Sequence, residues 1–119
     1  RHYNNSYDKI IEIFQQAMKS IEDLGYKFMA DVFKHIVVNP PKYSILETRY
    51  PYRSIRKTIE ERIATREFLP TTNATELAHD CMRIGRGLVF DWCLYEGSYS
   101  LTEETNRLTK SLLNDFLNK

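Results

Sequence analysis

An all-α fold is the class this sequence predicts, and three observations carry it. Apolar residues recur at three- and four-residue steps through most of the 119 residues. Capping patterns and proline or glycine breaks divide those stretches into five segments of helical length. Only four glycines and four prolines interrupt a chain that is 42% hydrophobic, the balance of a compact helical domain.

The first helix is drawn by Tyr7, Ile10, Ile11, Phe14, Ala17, Met18, Ile21 and Leu24, with Asp8, Lys9, Glu12, Gln15, Lys19 and Asp23 on the opposite face. Asn5 or Ser6 is placed to cap its start, and Gly25 to end it or bend the chain onward. Phe28, Met29, Val32, Phe33 and Ile36 mark a shorter second helix. It cannot pass Pro40-Pro41, because proline lacks the amide donor and the residue before it avoids helical angles. Three of the four prolines fall between Asn39 and Pro51, so that stretch reads as a loop with a helical turn at Ser44 to Thr48. Tyr52, Ile55, Ile59 and Ile63 then restore the stripe as a third helix. Arg56 with Glu60 and Lys57 with Glu61 sit one turn apart on it, each pair worth about 0.2–0.5 kcal/mol. Phe68-Leu69-Pro70 is expected to close it.

Asn73 and Glu76 open the fourth helix in a capping-box-like pattern. Its apolar residues form two stripes: Leu77, Cys81, Ile84, Leu88 and Tyr95 on one, Ala74, Ala78, Met82, Gly85, Val89 and Trp92 or Cys93 on the other. A helix apolar on two sides must be covered on two sides, by the domain's own helices and by a partner chain. Ser100-Leu101-Thr102-Glu103 is a Ser-x-x-Glu capping box, and Glu103 and Glu104 complement the positive end of the dipole of a fifth helix. Leu108, Leu112, Leu113, Phe116 and Leu117 spread over more than one narrow seam of that helix. Helices four and five together read as half of a four-helix interface in a homodimer.

A chain of this length fits one domain, residues 1–119, able to bury a core without disulfides or metals. Lys and Arg total 17 against 16 acidic residues, so no global charge draws it onto nucleic acid or an anionic membrane. No apolar run reaches the roughly 18 residues of a membrane span. The start, Arg1-His2-Tyr3-Asn4-Asn5, resembles neither a signal peptide nor a natural beginning, which leads us to expect a cytoplasmic fragment. Cys81 and Cys93 lie twelve residues apart on one helix, about 18 Å of rise, and cannot bridge within the chain.

The stretch Gly85-Arg86-Gly87-Leu88-Val89-Phe90-Asp91-Trp92-Cys93-Leu94-Tyr95-Glu96-Gly97-Ser98-Tyr99-Ser100-Leu101, with Thr102-Glu103-Glu104 after it, resembles the C-terminal regulatory domain of TetR/AcrR-family transcriptional regulators. In that family a long glycine-bearing helix ends on an Asp-Trp pair and a Gly-Ser turn, and the final helix begins with an acidic turn. Ser100 stands where members usually carry an acidic residue, and serine caps equally well. The resemblance implies a five-helix all-α domain that senses a small apolar or amphipathic effector and dimerises through its last two helices. It implies cytoplasmic operation and contact with operator DNA only through an N-terminal helix-turn-helix domain, to which nothing in this sequence corresponds. In the intact protein the dimer would set two recognition helices about 34 Å apart in successive major grooves, and the effector would shift the population away from that spacing.

On this reading Phe14, Met18, Met29, Phe33, Tyr52, Ile55, Ile59, Leu77, Cys81 and Met82 line an effector pocket between helices, with plain core packing as the competing account. Gly85, Val89, Trp92, Leu108, Leu112 and Phe116 form the dimer interface. Glycine inside a helix costs about 1 kcal/mol against alanine, so Gly85 and Gly87 ask for a close helix approach or a ligand in return. Trp92 would anchor the end of the fourth helix, with a core tryptophan away from the interface as the competing account, and its indole N–H needs a polar partner. Arg49, Arg53, Arg56, Lys57, Arg62 and Arg66 bias the third helix towards positive charge, diluted by Glu47, Glu60, Glu61 and Glu67. No metal site, cofactor or catalytic residue is expected: His79 and Cys81 point apart on their helix, and neither a P-loop, a Gly-x-Ser-x-Gly elbow nor a His-Glu-x-x-His occurs. A structural dimerisation module with a filled core and no ligand is the alternative to the sensor.

Overall fold

The computed structural model describes residues 7–42 and 51–119. Five α-helices make up that part of the chain: α1 (Asp8–Leu24), α2 (Tyr26–Val38), α3 (Tyr52–Ala64), α4 (Ala74–Leu94) and α5 (Leu101–Asn114). The all-α class is as the periodicity dictates. The proposed caps Asn5 and Ser6 and the turn at Ser44 to Thr48 lie outside the described residues; α1 begins after Tyr7, which makes no side-chain cap.

Helix α4 is central, packing against α2, α3 and α5, while α1 lies along α5 and also touches α2 and α3. The core is assembled from Ile10, Ile13, Phe14 and Met18 of α1, Tyr52, Ile55 and Ile59 of α3, Leu77, Ala78, Cys81, Val89 and Trp92 of α4, and Leu101 and Leu113 of α5. Each large apolar side chain buried there contributes about 1.5–3 kcal/mol before chain entropy is subtracted. Helix α2 differs from the others in having no buried residue. Its Tyr26, Met29 and Phe33 pack half-buried against the core, and its other side stays open.

The caps predicted at Asn73 and Ser100 form. The Asn73 side chain accepts the amide of Glu76 at 3.1 Å, and the Ser100 hydroxyl accepts that of Glu103 at 3.2 Å. Glu22, at the end of α1, reaches the same α5 terminus, where its carboxylate accepts the Leu101 amide at 3.1 Å and the Thr102 hydroxyl. A carboxylate at the positive end of a helix dipole is favourable, so this contact ties α1 to α5 at their meeting ends. Gly25, at φ 90°, is the single residue between α1 and α2.

The end of α3 departs from expectation. The helix stops at Ala64 because Arg66 adopts the left-handed conformation at φ 65°, with its amide on the Ile63 carbonyl and the Glu67 amide on that of Arg62. That pair of bonds is a Schellman stop, which satisfies the last carbonyls. Phe68 then turns fully inward, and the C-terminal residues clip over it: Phe68 and Leu117 form an antiparallel bridge, and the Leu69 amide donates to the Phe116 carbonyl at 2.8 Å. On the same helix, Glu61 meets Lys9 of α1 at 3.8 Å.

Candidate functional site

The ten residues proposed as pocket lining do come together, but as packed interior. Phe14, Met18, Tyr52, Ile55, Ile59, Leu77 and Cys81 are buried in one cluster, and Met29, Phe33 and Met82 pack half-buried against it. Of the ten, only Phe33 borders one of the surface grooves described below. Burial, with Asp80 adding a smaller electrostatic push, raises the Cys81 thiol from 9 to about 12. His79 is buried two residues away, its ring tilted on that of Tyr52 with centroids 4.7 Å apart. Among the described residues no group of three or more His, Cys, Asp or Glu is placed to hold a metal ion, and no helix is long and apolar enough to cross a membrane.

The residues assigned to the dimer interface divide. A Cβ at Gly85 would lie 3.2 Å from Cε of Met18 and 3.3 Å from Cε1 of Phe14, so the close approach expected there is made by α1 of the same chain. Val89 and Trp92 are likewise buried within the single chain. Almost none of their surface is exposed in the single chain. Leu112 and Phe116 are half-buried against the core, and Leu108 is half-buried on α5.

Trp92 has the polar partner it needs: its indole N–H donates to the Tyr99 carbonyl at 3.0 Å. The Tyr99 hydroxyl in turn donates to Asp91 at 2.8 Å and lies 3.3 Å from the Leu88 carbonyl. Desolvation first, then the bond to Asp91, pushes the Tyr99 hydroxyl up to about 12. The turn between α4 and α5 is a second Schellman stop, with Glu96 left-handed at φ 54° and the Gly97 amide on the Trp92 carbonyl at 2.9 Å. Gly97, at φ 68°, is also sterically required, as a Cβ there would press on Tyr26 and Trp92.

Grooves on the described surface include three of distinct character. One, of about 360 Å³, is acidic, bordered by Asp91, Tyr99, Ser100, Glu103 and Glu104 beside Leu88. Another, of about 510 Å³, runs along Arg53, Ser54, Arg56, Lys57 and Glu60 of α3, the basic bias anticipated for that helix. The third lies between α2 and α4 and is apolar: Ala30, Phe33, Lys34, Val37 and Val38 face Phe90, Cys93 and Leu94 across about 370 Å³. Its floor is the edge-to-face contact of Phe33 and Phe90, centroids 5.9 Å apart. Val37 and Val38 are each 74% exposed, Leu94 65% and Phe90 49%. Cys93 is half-buried there, its thiol raised by burial and its Sγ 3.6 Å from the Tyr26 carbonyl.

Phe90, Leu94, Val37 and Val38 were not singled out by the stripes read from sequence. The available signal was the step from Gly87 to Phe90 to Leu94, which runs along the side of α4 opposite Cys81 and Gly85. No family model, no curated protein and no solved structure matches this chain.

Proposed function

We propose that this chain is the effector-sensing and dimerisation domain of a TetR-type transcriptional repressor, working in the cytoplasm as a homodimer. On this reading a small apolar or amphipathic molecule binds the domain and shifts the dimer away from the geometry that fits an operator. DNA is contacted only through a helix-turn-helix domain that this sequence does not contain. No side chain is assigned a catalytic role.

The observation that carries the reading is the large apolar surface a single chain leaves open along α2 and the outer side of α4. Such surface on an isolated domain marks an interaction site. The loose seating of α2, which buries no residue of its own, supports the sensing part: an element held weakly against the core is one whose position a ligand can reset.

A second reading, a structural dimerisation module with a filled core, is favoured by one specific observation. Seven of the ten proposed lining residues are buried at 4% exposure or less and pack on one another. Native mass spectrometry and thermal shift separate the two. A species at twice 14.1 kDa is expected on both readings. Retained extra mass, or a melting temperature raised by an apolar compound in excess, is expected only of the sensor, because a ligand stabilises the state it binds. A dimer indifferent to every compound tried leaves the module, and a monomer sinks both.

A further inference from the structure

Resting on the effector-sensing reading, we propose that the effector is an anionic amphiphile, a medium-chain carboxylate, held in the groove between α2 and α4 with its tail on Phe33, Val37, Phe90 and Leu94 and its head at Lys34. The interior between the helices is filled by the side chains of the core, so an effector needs another place. Of the three grooves described, this one offers both halves of such a molecule a partner. The groove beside α5 is bordered by Asp91, Glu103 and Glu104, which repel an anion. The groove on α3 has Arg53, Arg56 and Lys57 at its border but no apolar side chain to receive a tail. Between α2 and α4 the walls are apolar, and Lys34 is the one charged residue bordering them.

Charge complementarity fixes the class of the head group. Lys34 is exposed and makes no salt bridge among the described residues. A lysine in such a position lays its apolar stem along the groove and holds its ammonium at the water's edge, where a carboxylate can meet it. The dimensions fix the tail. The wall from Ala30 to Val38 rises by about 12 Å, long enough for a chain laid lengthwise. Its volume of about 370 Å³ is that of a small-molecule site, about 300–1,000 Å³ in general. Phe33 and Phe90 give the tail an aromatic floor. A molecule lying there touches α2, which buries no residue of its own, and α4, which the homodimer reading uses. Leu88 and Asp91 border the groove on the α5 side of α4, so the site leaves that side to a second copy.

Isothermal titration calorimetry of the full chain with decanoate, decan-1-ol and decyltrimethylammonium, each below its micellar concentration, tests this. Thermal unfolding and sedimentation of Lys34→Gln, Val37→Ser and Leu94→Ser accompany it. All three substitutions fall on exposed residues, so the fold should survive them. Decanoate should bind more tightly than the other two compounds, and Lys34→Gln should weaken it about fivefold while leaving decan-1-ol unchanged. Val37→Ser and Leu94→Ser should each weaken decanoate about tenfold. Bound decanoate should also slow alkylation of Cys93, which lines the groove, with buried Cys81 as the unreactive reference. Decanoate that binds indifferently to all three substitutions would overturn the groove, and a melting temperature raised only by other apolar compounds would overturn the anionic class; the sensor reading stands in both cases. A chain that no compound stabilises would remove the sensor reading itself. Cys93 as unreactive as Cys81 without ligand would mean that the groove is covered from within the chain, and a dimer dissociated by Leu94→Ser would give it to a second copy. Either result overturns the proposal.

Discussion

Gly85 and Gly87 sit two residues apart on α4, and the same substitution at each should move stability in opposite directions. Replacing a helical glycine by alanine gains about 0.5–1 kcal/mol by removing backbone freedom from the unfolded chain. At Gly87 the new methyl group meets nothing within 4 Å, so the whole gain is expected. At Gly85 it would stand 3.2 Å from Met18 and 3.3 Å from Phe14, closer than ordinary van der Waals contact. The Met18 methyl is the flexible end of a side chain, but both residues are buried and have little room to retreat. Overpacking of this kind costs about 1–3 kcal/mol. Gly85→Ala should therefore be a net loss of about 1 kcal/mol, and the two variants should differ by about 2 kcal/mol, or on the order of 8 °C in Tm for a domain of this size. Urea unfolding at several protein concentrations measures this, because the concentration dependence separates association from the stability of the single chain. Equal stabilisation by the two alanines would refute the reasoning, since it would mean that α1 does not press on Gly85.

Glu22→Ala should cost about 1–3 kcal/mol, as it leaves the start of α5 without the carboxylate that accepts from Leu101 and Thr102, and Glu22→Gln should cost less; thermal unfolding reads both. Arg66→Gly and Glu96→Gly should each stabilise by about 0.5–1 kcal/mol, because each residue now holds a left-handed conformation that glycine adopts without strain. Trp92→Phe should lose about 1–2 kcal/mol in urea unfolding by orphaning the Tyr99 carbonyl, even though the ring remains apolar. Cys81 gives a pH dependence: its thiol ionises near 9 when unfolded and near 12 when folded, so the native state keeps the proton longer. Stability from this group is full below pH 9 and is lost as pH climbs towards 12. The urea midpoint should fall over that range, and Cys81→Ala should flatten the fall.

The parts of this fold that could be read from the sequence are those set by neighbours in the chain. The caps at Asn73 and Ser100 each join residues three apart, so their donors and acceptors stand together in the sequence. The left-handed stops of α3 and α4 could not be read locally, because Arg66 and Glu96 occupy positions where glycine is the usual signal. Helix α4 shows the limit most clearly. Apolar residues on several sides give a period but no direction, and only the packing of Phe14 and Met18 onto Gly85 reveals which side faces inward. The Glu22 contact spans 79 residues, and no local pattern announces it. Phe, Ile and Met in a core read the same as Phe, Ile and Met around a ligand, so sequence could place the ten lining residues together but could not say whether space lies between them.

The motif that carried the family resemblance has a cause inside the chain. Asp91 receives the Tyr99 hydroxyl, and Trp92 donates to the carbonyl of that same tyrosine. Gly97 lies where any side chain would strike Trp92, Ser100 caps α5, and the next amide is held by Glu22 of α1. These residues lock one another into a corner that sets the angle between α4 and α5 and joins both to α1. Their hydrogen bonds run to one another, and Asp91, Tyr99 and Ser100 also border the acidic groove. The residues that mark the resemblance are therefore evidence for an architecture, and the ones that would define an activity must be sought among those the corner leaves unexplained. In α4 those are Gly87, Phe90 and Leu94: a glycine in open space and two apolar side chains that stay about half exposed or more among the described residues. A mutational search for function should begin on that side of the helix, where substitutions can change association without disturbing the core.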